Sequence, residues 1–168
     1  LTLNVTLTDA AGNQGDAAVD TVNKDTTVPS APVIEGISAG EYNTDQSFTV
    51  AGESGAEIEY SLDGGSSWQE HTSSVALSAE GSYDITARQI DEAGNVSETA
   101  DTIAVTIDKT APSGYAVQID QEVINSSDQT MSFTFSGAET GVDYDYTVTD
   151  SDGNQVTGSG TIATADEQ

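Results

Sequence analysis

The chain has 168 residues, of which 35% are hydrophobic, and its 29 acidic residues against three basic ones give a formal net charge of -26. Nucleic acids and anionic membrane surfaces attract proteins through Lys and Arg, so this charge argues against both as partners. No run approaches the ~18 to 20 apolar residues of a membrane-spanning helix, and no cysteine is present to form a disulfide. We therefore expect a folded acidic protein without membrane insertion, stabilised by metal ions or by stacking of neighbouring modules.

Residues 1–28 predict two β-strands. Leu1, Leu3, Val5 and Leu7 alternate with polar residues as far as Thr8, which predicts one strand, and the segment that ends at Asp25 predicts a second. The chain starts with this alternation and lacks the basic and apolar blocks of a signal peptide, so we expect it to begin within a longer protein.

Residues 29–109 predict one complete module. Apolar and polar residues alternate, no stretch shows helical spacing, and turn signals such as "LDGGSS" and "EAGN" recur at short intervals. About seven short strands in some 80 residues are typical of an immunoglobulin-like (Ig-like) sandwich. We predict strands A, B and C near residues 33–37, 48–51 and 58–62, an edge segment around Trp68, and strands E, F and G at 75–77, 83–90 and 103–107.

Residues 110–168 predict the first part of a further module. Phe133 alternates with polar neighbours in one stretch, and Tyr144 and Tyr146 do so in another, so residues 115–161 predict strands A to D. The predicted fold class is all-β, with tandem Ig-like sandwiches of which one is complete and two are partial. Residues 1–28 would be the last half (strands F and G) of a module, and residues 110–168 the first half.

Two motifs recur along the chain. "DAAGNQGD" at residues 9–16 returns as "DEAGNVSE" at 91–98, and "DTTVPSAP" from Asp25 returns as "DKTAPSGY" from Asp108. The first pair is 82 residues apart and the second 83. Self-similarity at a nearly fixed period indicates tandem modules.

These motifs carry a resemblance to a known family. The stretches "EIEYSLDGGSSWQEH" and "LSAEGSYDITARQIDEAGNVSETADTIAVTIDKTAP" resemble the bacterial Ig-like repeats of large surface adhesins, including giant calcium-dependent adhesins exported by type I secretion. "FTFSGAETGVDYDYTV" and "VTGSGTI" resemble the first half of a second repeat type, and "LTLNVTLTDAAGNQGDAAVDTVNKDTT" its last half. The resemblance implies a structural extender segment of an adhesin on the bacterial cell surface, with neighbouring repeats as its partners.

The resemblance also implies calcium at or near the module junctions. In such a sandwich the B–C loop (residues 53–57) and the F–G loop (residues 91–98) lie at one pole, beside the end of the preceding strand G. Calcium takes six to eight oxygen ligands, and carboxylates supply them. The candidates are Asp25, Glu53, Asp91 and Asn95 at the first junction, Asp9 in the matching turn, and, at the second junction, Asp108, Asp63, Glu80, Glu139 and Asp143.

Two acidic motifs have a simpler alternative. Asp91 and Asn95 could only fix a turn by hydrogen bonds to the backbone, with Gly94 at positive φ. "DSDGN" at residues 150–154 resembles the start of an EF-hand loop, but Gln155 and Thr161 occupy the positions that need glycine and glutamate. We therefore predict a hairpin turn at residues 150–154.

No catalytic constellation is recognisable in the sequence. There is one histidine, His71, no cysteine nucleophile, and neither a "GxSxG" motif nor a phosphate-binding loop, so we expect no enzyme activity. Trp68 is expected to pack in the core or at an edge of the sandwich. The alternative function is a carbohydrate- or protein-binding module in which Trp68, Tyr60 and His71 line the site.

The two partial modules have complementary missing parts. Each half alone exposes unpaired strand edges and an apolar face, which invites strand addition from another chain. We expect the first half of one molecule to complete the last half of the next, giving a head-to-tail homo-oligomer. The alternative is that the missing strands lie in neighbouring sequence of a longer polypeptide.

Overall fold

The computed structural model describes residues 1–121 and 130–166, and its regular elements there are all β-strands. The described residues include no helix, and therefore none that could cross a membrane. The strands are β1 (Thr2–Val5), β2 (Ala18–Thr21), β3 (Val33–Glu35), β4 (Gly40–Tyr42), β5 (Gln46–Ala51), β6 (Glu57–Ser61), β7 (Gln69–Glu70), β8 (Val75–Leu77), β9 (Gly81–Ile90), β10 (Ile103–Ile107), β11 (Ala116–Ile119), β12 (Phe133–Ser136), β13 (Asp143–Thr149) and β14 (Gln155–Thr161).

The chain divides into two compact units, Leu1–Lys109 and Thr110–Gln168. Within the first unit, β3 to β10 form two sheets. One has five strands in the order β4-β10-β9-β6-β7 and the other has three in the order β3-β5-β8. Inward residues of both sheets share one core, consisting of Phe48, Val50, Leu77, Ile85, Ala87, Val105 and Ile107. The all-β prediction is therefore confirmed.

The strands predicted in residues 29–109 all form, but β4 was missed. This strand pairs in parallel with β10, with Gly40 opposite Val105 and Tyr42 opposite Ile107. Three residues are too few for a recognisable alternation, and the pairing partner lies more than 60 residues away in the sequence. Only the tertiary structure brings this short segment to the edge of the five-stranded sheet.

The hairpin of β1 and β2 repeats the register of β9 and β10. Leu3 faces Asp20 in the first hairpin as Ile85 faces Ile103 in the second. The bridge between Thr8 and Gln14 likewise matches the bridge between Ile90 and Val96. The hairpin residues that correspond to the inward positions of β9 are 44 to 78% exposed, and they are Leu1, Leu3, Val5 and Leu7.

The second unit repeats the register of the first strands of the central segment. Ala116 faces Ser136 in the β11–β12 pair as Val33 faces Ala51 in the β3–β5 pair. The shared stretches "FTVAG" and "FTFSG" continue this correspondence, because Phe48 packs edge-on against Tyr60 at 5.7 Å in one unit, and Phe133 against Tyr146 at 5.4 Å in the other.

The second unit has a small core of its own. It consists of Phe135, Ala138 and Ile162, with Phe133, Val142 and Tyr144 packed against it. On β14, Gly158 and Gly160 leave room for the rings of Tyr146 and Tyr144, which occupy the space that side chains there would need. The aromatic rings therefore cover the inner side of the β13–β14 hairpin.

Gly52 follows β5 at a point where no side chain fits. A Cβ atom there would overlap the side-chain oxygen of Gln89 and lie 2.9 Å from Ile58 Cδ1. We expect Gly52→Ala to destabilise the first unit by about 1 to 3 kcal/mol through overpacking, measured by urea unfolding. The matched control is Gly15→Ala, since a Cβ at Gly15 meets only a backbone oxygen at an ordinary 3.7 Å. Equal stability of the two variants would contradict this expectation.

Candidate functional site

The same acidic turn occurs three times in the described residues, at residues 9–13, 91–95 and 150–154. In each copy one oxygen of the leading Asp accepts the backbone N–H of the closing Asn at 2.8 Å. The other oxygen accepts the amide group of the Asn side chain at 2.7 to 2.9 Å. The glycine before the Asn has a φ between 85° and 91°, a conformation that glycine adopts without strain.

These hydrogen bonds stabilise the charged form of each leading Asp. The pKa values of Asp9, Asp91 and Asp150 are lowered, chiefly by the hydrogen bond from the Asn side chain of the same turn. The turn interpretation of Asp91 and Asn95 thus describes bonds that are present, and the hairpin turn predicted at residues 150–154 is confirmed. The third copy could have been found from its Asp-x-x-Gly-Asn spacing, which is the same as in the other two.

Carboxylates from three segments of the first unit line one cleft. Asp25 follows β2, Glu53 lies in the loop between β5 and β6, and Asp91 follows β9. The cleft has a volume of about 570 Å³, and Asn23 and Glu92 also line it. Asp9 lies at the closed end of the first hairpin and is not among the lining residues. Asn95 does not line it either, and its side-chain amide donates to Asp91 Oδ2.

A buried glutamine connects the wall of this cleft to the preceding linker. Gln89 is 1% exposed; its side-chain nitrogen donates to the Ser30 carbonyl and its oxygen accepts from the Glu53 N–H, both at 2.7 Å. The Ser30 N–H in turn donates to Glu53 Oε1 at 2.9 Å. Sequence reasoning missed this network. The signal for it is that the inward positions of β9 continue from Ile85 and Ala87 to Gln89, so a polar side chain stands where an apolar one is expected.

The carboxylate oxygens that line the cleft are the type of ligand that hard cations prefer. Asp25 Oδ1 accepts a hydrogen bond from the Thr27 N–H at 2.9 Å, and Glu53 accepts one from the Ser30 N–H. Each carboxylate keeps the capacity to bind an ion, because it can accept about four hydrogen bonds or ligand contacts in total. Among the described residues, no three acidic or histidine side chains are close enough together to hold a metal ion. Like charges repel, so carboxylates that face one cleft do not approach each other without a counter-ion.

The candidates at the end of the central segment are engaged in bonds within it. Asp63 accepts from Ser67 Oγ at 2.6 Å and from Ser61 Oγ at 2.7 Å, and these bonds, with that of Ser67 first, lower its pKa to about 2. Glu80 Oε1 accepts the Lys109 N–H at 2.7 Å. The Asp108 N–H donates to the Tyr42 carbonyl at 2.9 Å, which extends the β4–β10 pairing.

The remaining two candidates belong to the second unit. Asp143 accepts from Thr161 Oγ1 at 2.6 Å, across the β13–β14 hairpin. Glu139 lines an apolar cleft on the inner side of this unit. The predicted second calcium site combines residues of both units, and it stays a prediction.

The residues of the alternative binding site are packed within the first unit. Trp68 is half-buried, and the guanidinium carbon of Arg88 lies 4.3 Å from the centre of its ring. Arg88 also forms an ion pair with Glu59 at 2.6 Å. Tyr60 packs against Phe48, and His71 Nε2 accepts the Val50 N–H at 3.2 Å. Trp68 therefore packs within the unit, as the packing interpretation predicted.

No protein-family model matches the chain, and no curated protein matches it. The geometry described above is therefore the main evidence on function.

The lowered pKa of Asp63 predicts a loss of stability in acid. The pKa falls from 3.8 to about 2 on folding, so the stabilisation is complete above about pH 4 and is lost as the pH falls through about 2. We expect Asp63→Asn to lower the urea midpoint at neutral pH and to reduce its further decrease between about pH 4 and about pH 2. Asp16→Asn makes the same charge change as a control. Parallel pH profiles for Asp63→Asn and the wild type would contradict this role of the carboxylate.

Proposed function

We propose that this chain is a structural extender segment of a bacterial cell-surface adhesin, built from tandem Ig-like β-sandwich modules with calcium at their junctions. The observation that carries the proposal is that the chain enters and leaves the central sandwich at opposite ends. Ser30 is bonded to Gln89 near one end of β9, whereas Lys109 is bonded to Glu80 just before the other end. Nine residues of extended chain separate these contacts, about 30 Å at ~3.3 Å per residue.

A module of this kind lengthens a protein when it is repeated. Because the next segment starts from the pole opposite to the previous one, each added sandwich extends the chain by its own height. A module that entered and left at the same pole would fold the chain back on itself. The recurrence of the Asp25 and Asp108 linker motifs at the two poles fits such a series.

The linker into the central sandwich is partly fixed by the protein itself. Pro29 and Pro32 are buried, and the Ser30 backbone is held on both sides by Gln89 and Glu53. Proline restricts φ and removes one source of flexibility. The remaining freedom lies before Pro29, in the exposed residues 23–28, and this is the segment that an ion at the junction would restrain.

Calcium is proposed at the cleft of Asp25, Glu53 and Asp91 because this cleft lies between the exposed segment 23–28 and the loops of the sandwich. Asp25 belongs to the segment, whereas Glu53 and Asp91 belong to rigid loops of the sandwich. A divalent ion would relieve the repulsion among these carboxylates and fasten the segment to the sandwich. The net charge of -26 adds to the attraction for cations.

The alternative function, a carbohydrate- or protein-binding module at Trp68, Tyr60 and His71, has less support. Arg88 covers a face of the Trp68 ring that a sugar would stack on. The Tyr60 ring packs against Phe48 and His71 instead of standing free, and its hydroxyl donates to Gln69.

Calcium is expected to raise the stability of the first unit. Extracellular calcium modules bind at about 10⁻⁴ to 10⁻³ M, so ~10 mM calcium exceeds the dissociation constant by about ten to a hundred times. Linkage then gives about 1.4 to 2.7 kcal/mol per site, measured as a shift in thermal or urea unfolding relative to chelator at matched ionic strength. Asp25→Asn should lose most of this shift, while Asp16→Asn, outside the cleft, should keep it. No shift in the wild-type chain would contradict the proposal.

Protease cleavage at the junction tests the mechanical role separately. The flexible segment contains Lys24, and the chain offers a lysine-specific protease only one other site, at Lys109. Since cleavage requires local opening of the backbone, calcium should slow the cut after Lys24 several-fold. The effect should vanish in Asp25→Asn and persist in Asp16→Asn. Equal rates in calcium and in chelator would show that no ion restrains this segment.

A further inference from the structure

The short strand β4 forms a parallel pair with β10, the last strand of the central sandwich. Gly40 lies opposite Val105 and Tyr42 opposite Ile107, and the Asp108 N–H extends the pairing by donating to the Tyr42 carbonyl at 2.9 Å. Every other pair of strands described in the first unit is antiparallel. The parallel pair therefore joins the first and last strands of the five-stranded sheet in chain order.

Side chains continue this contact beyond the two strands. Lys109 follows β10 and Asp45 follows β4, and the Lys109 ammonium forms an ion pair with the Asp45 carboxylate. The same ammonium donates to the Ser78 carbonyl at 2.6 Å. The chain is thus fastened to β4 at the point where it leaves the sandwich.

The two linkers pull the paired strands in opposite directions. β10 is antiparallel to β9, with Ile107 opposite Gly81, so β10 and its parallel partner β4 both run towards the exit end of the sandwich. The chain enters near Gln89, at the other end of β9, where Ser30 is bonded. Tension on both linkers therefore draws β4 towards the entry end and β10 towards the exit end, at Lys109.

This direction of pull determines how the pairing breaks. Two paired strands that are drawn lengthwise past each other load all of their hydrogen bonds at the same time. Two strands that are drawn apart from the same end break these bonds one after another. A parallel pair that is pulled at opposite ends meets the first case, whereas an antiparallel pairing of the first and last strands would bring both linkers to one end and meet the second.

β4 is the weaker of the two pulled strands. β10 is bonded along both edges, to β4 over three residue pairs and to β9 over five. β4 is the edge strand of its sheet, and β10 is its neighbour there. On the entry side the pull reaches β3 first, but detachment of β3 passes the pull to β4 through residues 36–39. The force at which β4 slides along β10 therefore limits the force that the sandwich withstands.

We propose that the β4–β10 pairing is a mechanical clamp that sets the force at which the central sandwich unfolds when the chain is pulled from both linkers. The clamp deepens the proposed extender function and rests on it, because a segment that connects two anchored parts is pulled at both ends. It acts within one sandwich and needs no calcium. It also gives a function to the one predicted module's strand that the sequence did not reveal.

Single-molecule force spectroscopy of the full chain, in chelator, tests the direction of pull. The natural chain has no cysteine, so Thr26→Cys and Ser113→Cys supply anchors that load only the residues between them. Unfolding of the sandwich then releases about 250 Å of chain. Thr26→Cys with Glu98→Cys is the matched comparison, since Ser97 is bonded to Gln89 and Glu98 therefore lies near the entry end.

The first pair of anchors should require an unfolding force at least about twofold higher than the second, because forced unfolding follows the barrier along the pulled direction. Equal forces in the two directions would overturn the proposal. The comparison leaves β4 unchanged, so it decides the question whether or not a variant of β4 folds.

A variant of β4 supplies a second measurement with the Thr26 and Ser113 anchors. Gly40 has a φ of 156°, which proline, restricted to about −65°, does not adopt, and Gly40→Pro removes no side chain. We expect it to lower the unfolding force at least about twofold. The matched control is Gly64→Pro, which also replaces a glycine of positive φ, and which loses the N–H that donates to the Asp84 carbonyl at 2.8 Å.

Gly64 lies between β6 and β7, outside the pulled strands, so Gly64→Pro should lower the urea midpoint and leave the unfolding force nearly unchanged. An unchanged force in folded Gly40→Pro, or an equal decrease in both variants, would overturn the proposal. Both measurements are made in chelator, so neither bears on calcium at the Asp25 cleft.

Discussion

The pairing of β9 on both of its edges is the interaction on which the first unit depends. β9 lies between β6 and β10, so its backbone is bonded along both sides. Its inward residues Ile85 and Ala87 are fully buried in the core, and Gln89, next in the alternation, holds Ser30 and Glu53. One strand thus joins the two halves of the five-stranded sheet, contributes two side chains to the core and holds the chain where it enters the sandwich. Among the described residues of the second unit no strand takes this place, and the inner side of that unit carries an apolar cleft.

Four of the 29 acidic side chains are held by hydrogen bonds in short local motifs. The leading Asp of each Asp-x-x-Gly-Asn turn uses both carboxylate oxygens within five residues of chain, and Asp63 uses both of its oxygens within seven, with Ser61 and Ser67. These bonds favour the ionised form, so the turns keep their charge without burying it. The acidic residues of the Asp25 cleft come from three separate segments, and one of them, Asp91, is also the leading Asp of a turn.

The strands of the central segment could be predicted from the sequence because their alternation is a local property. The same holds for the turn at residues 150–154, whose spacing matches the turn that follows β9. The edge strand β4 could not be predicted, because its partner β10 follows more than 60 residues later. The function of Gln89 was likewise missed, since its partners Ser30 and Glu53 are 59 and 36 residues away. Of the predicted metal ligands, Asp25, Glu53 and Asp91 line one cleft, whereas Asn95 and Asp9 do not line it, and calcium binding there stays a prediction.

The sequence by itself determined the all-β class and the acidic turns, because alternation and glycine-dependent turns act over a few residues at a time. Only the tertiary structure decided which surfaces are covered. Leu3 and Ile85 occupy equivalent positions in equivalent hairpins, yet one is 64% exposed and the other is fully buried. Their local sequence patterns are alike. The difference arises from whether a second sheet and a neighbouring strand are present to pack against them, and this is a property of long-range contacts.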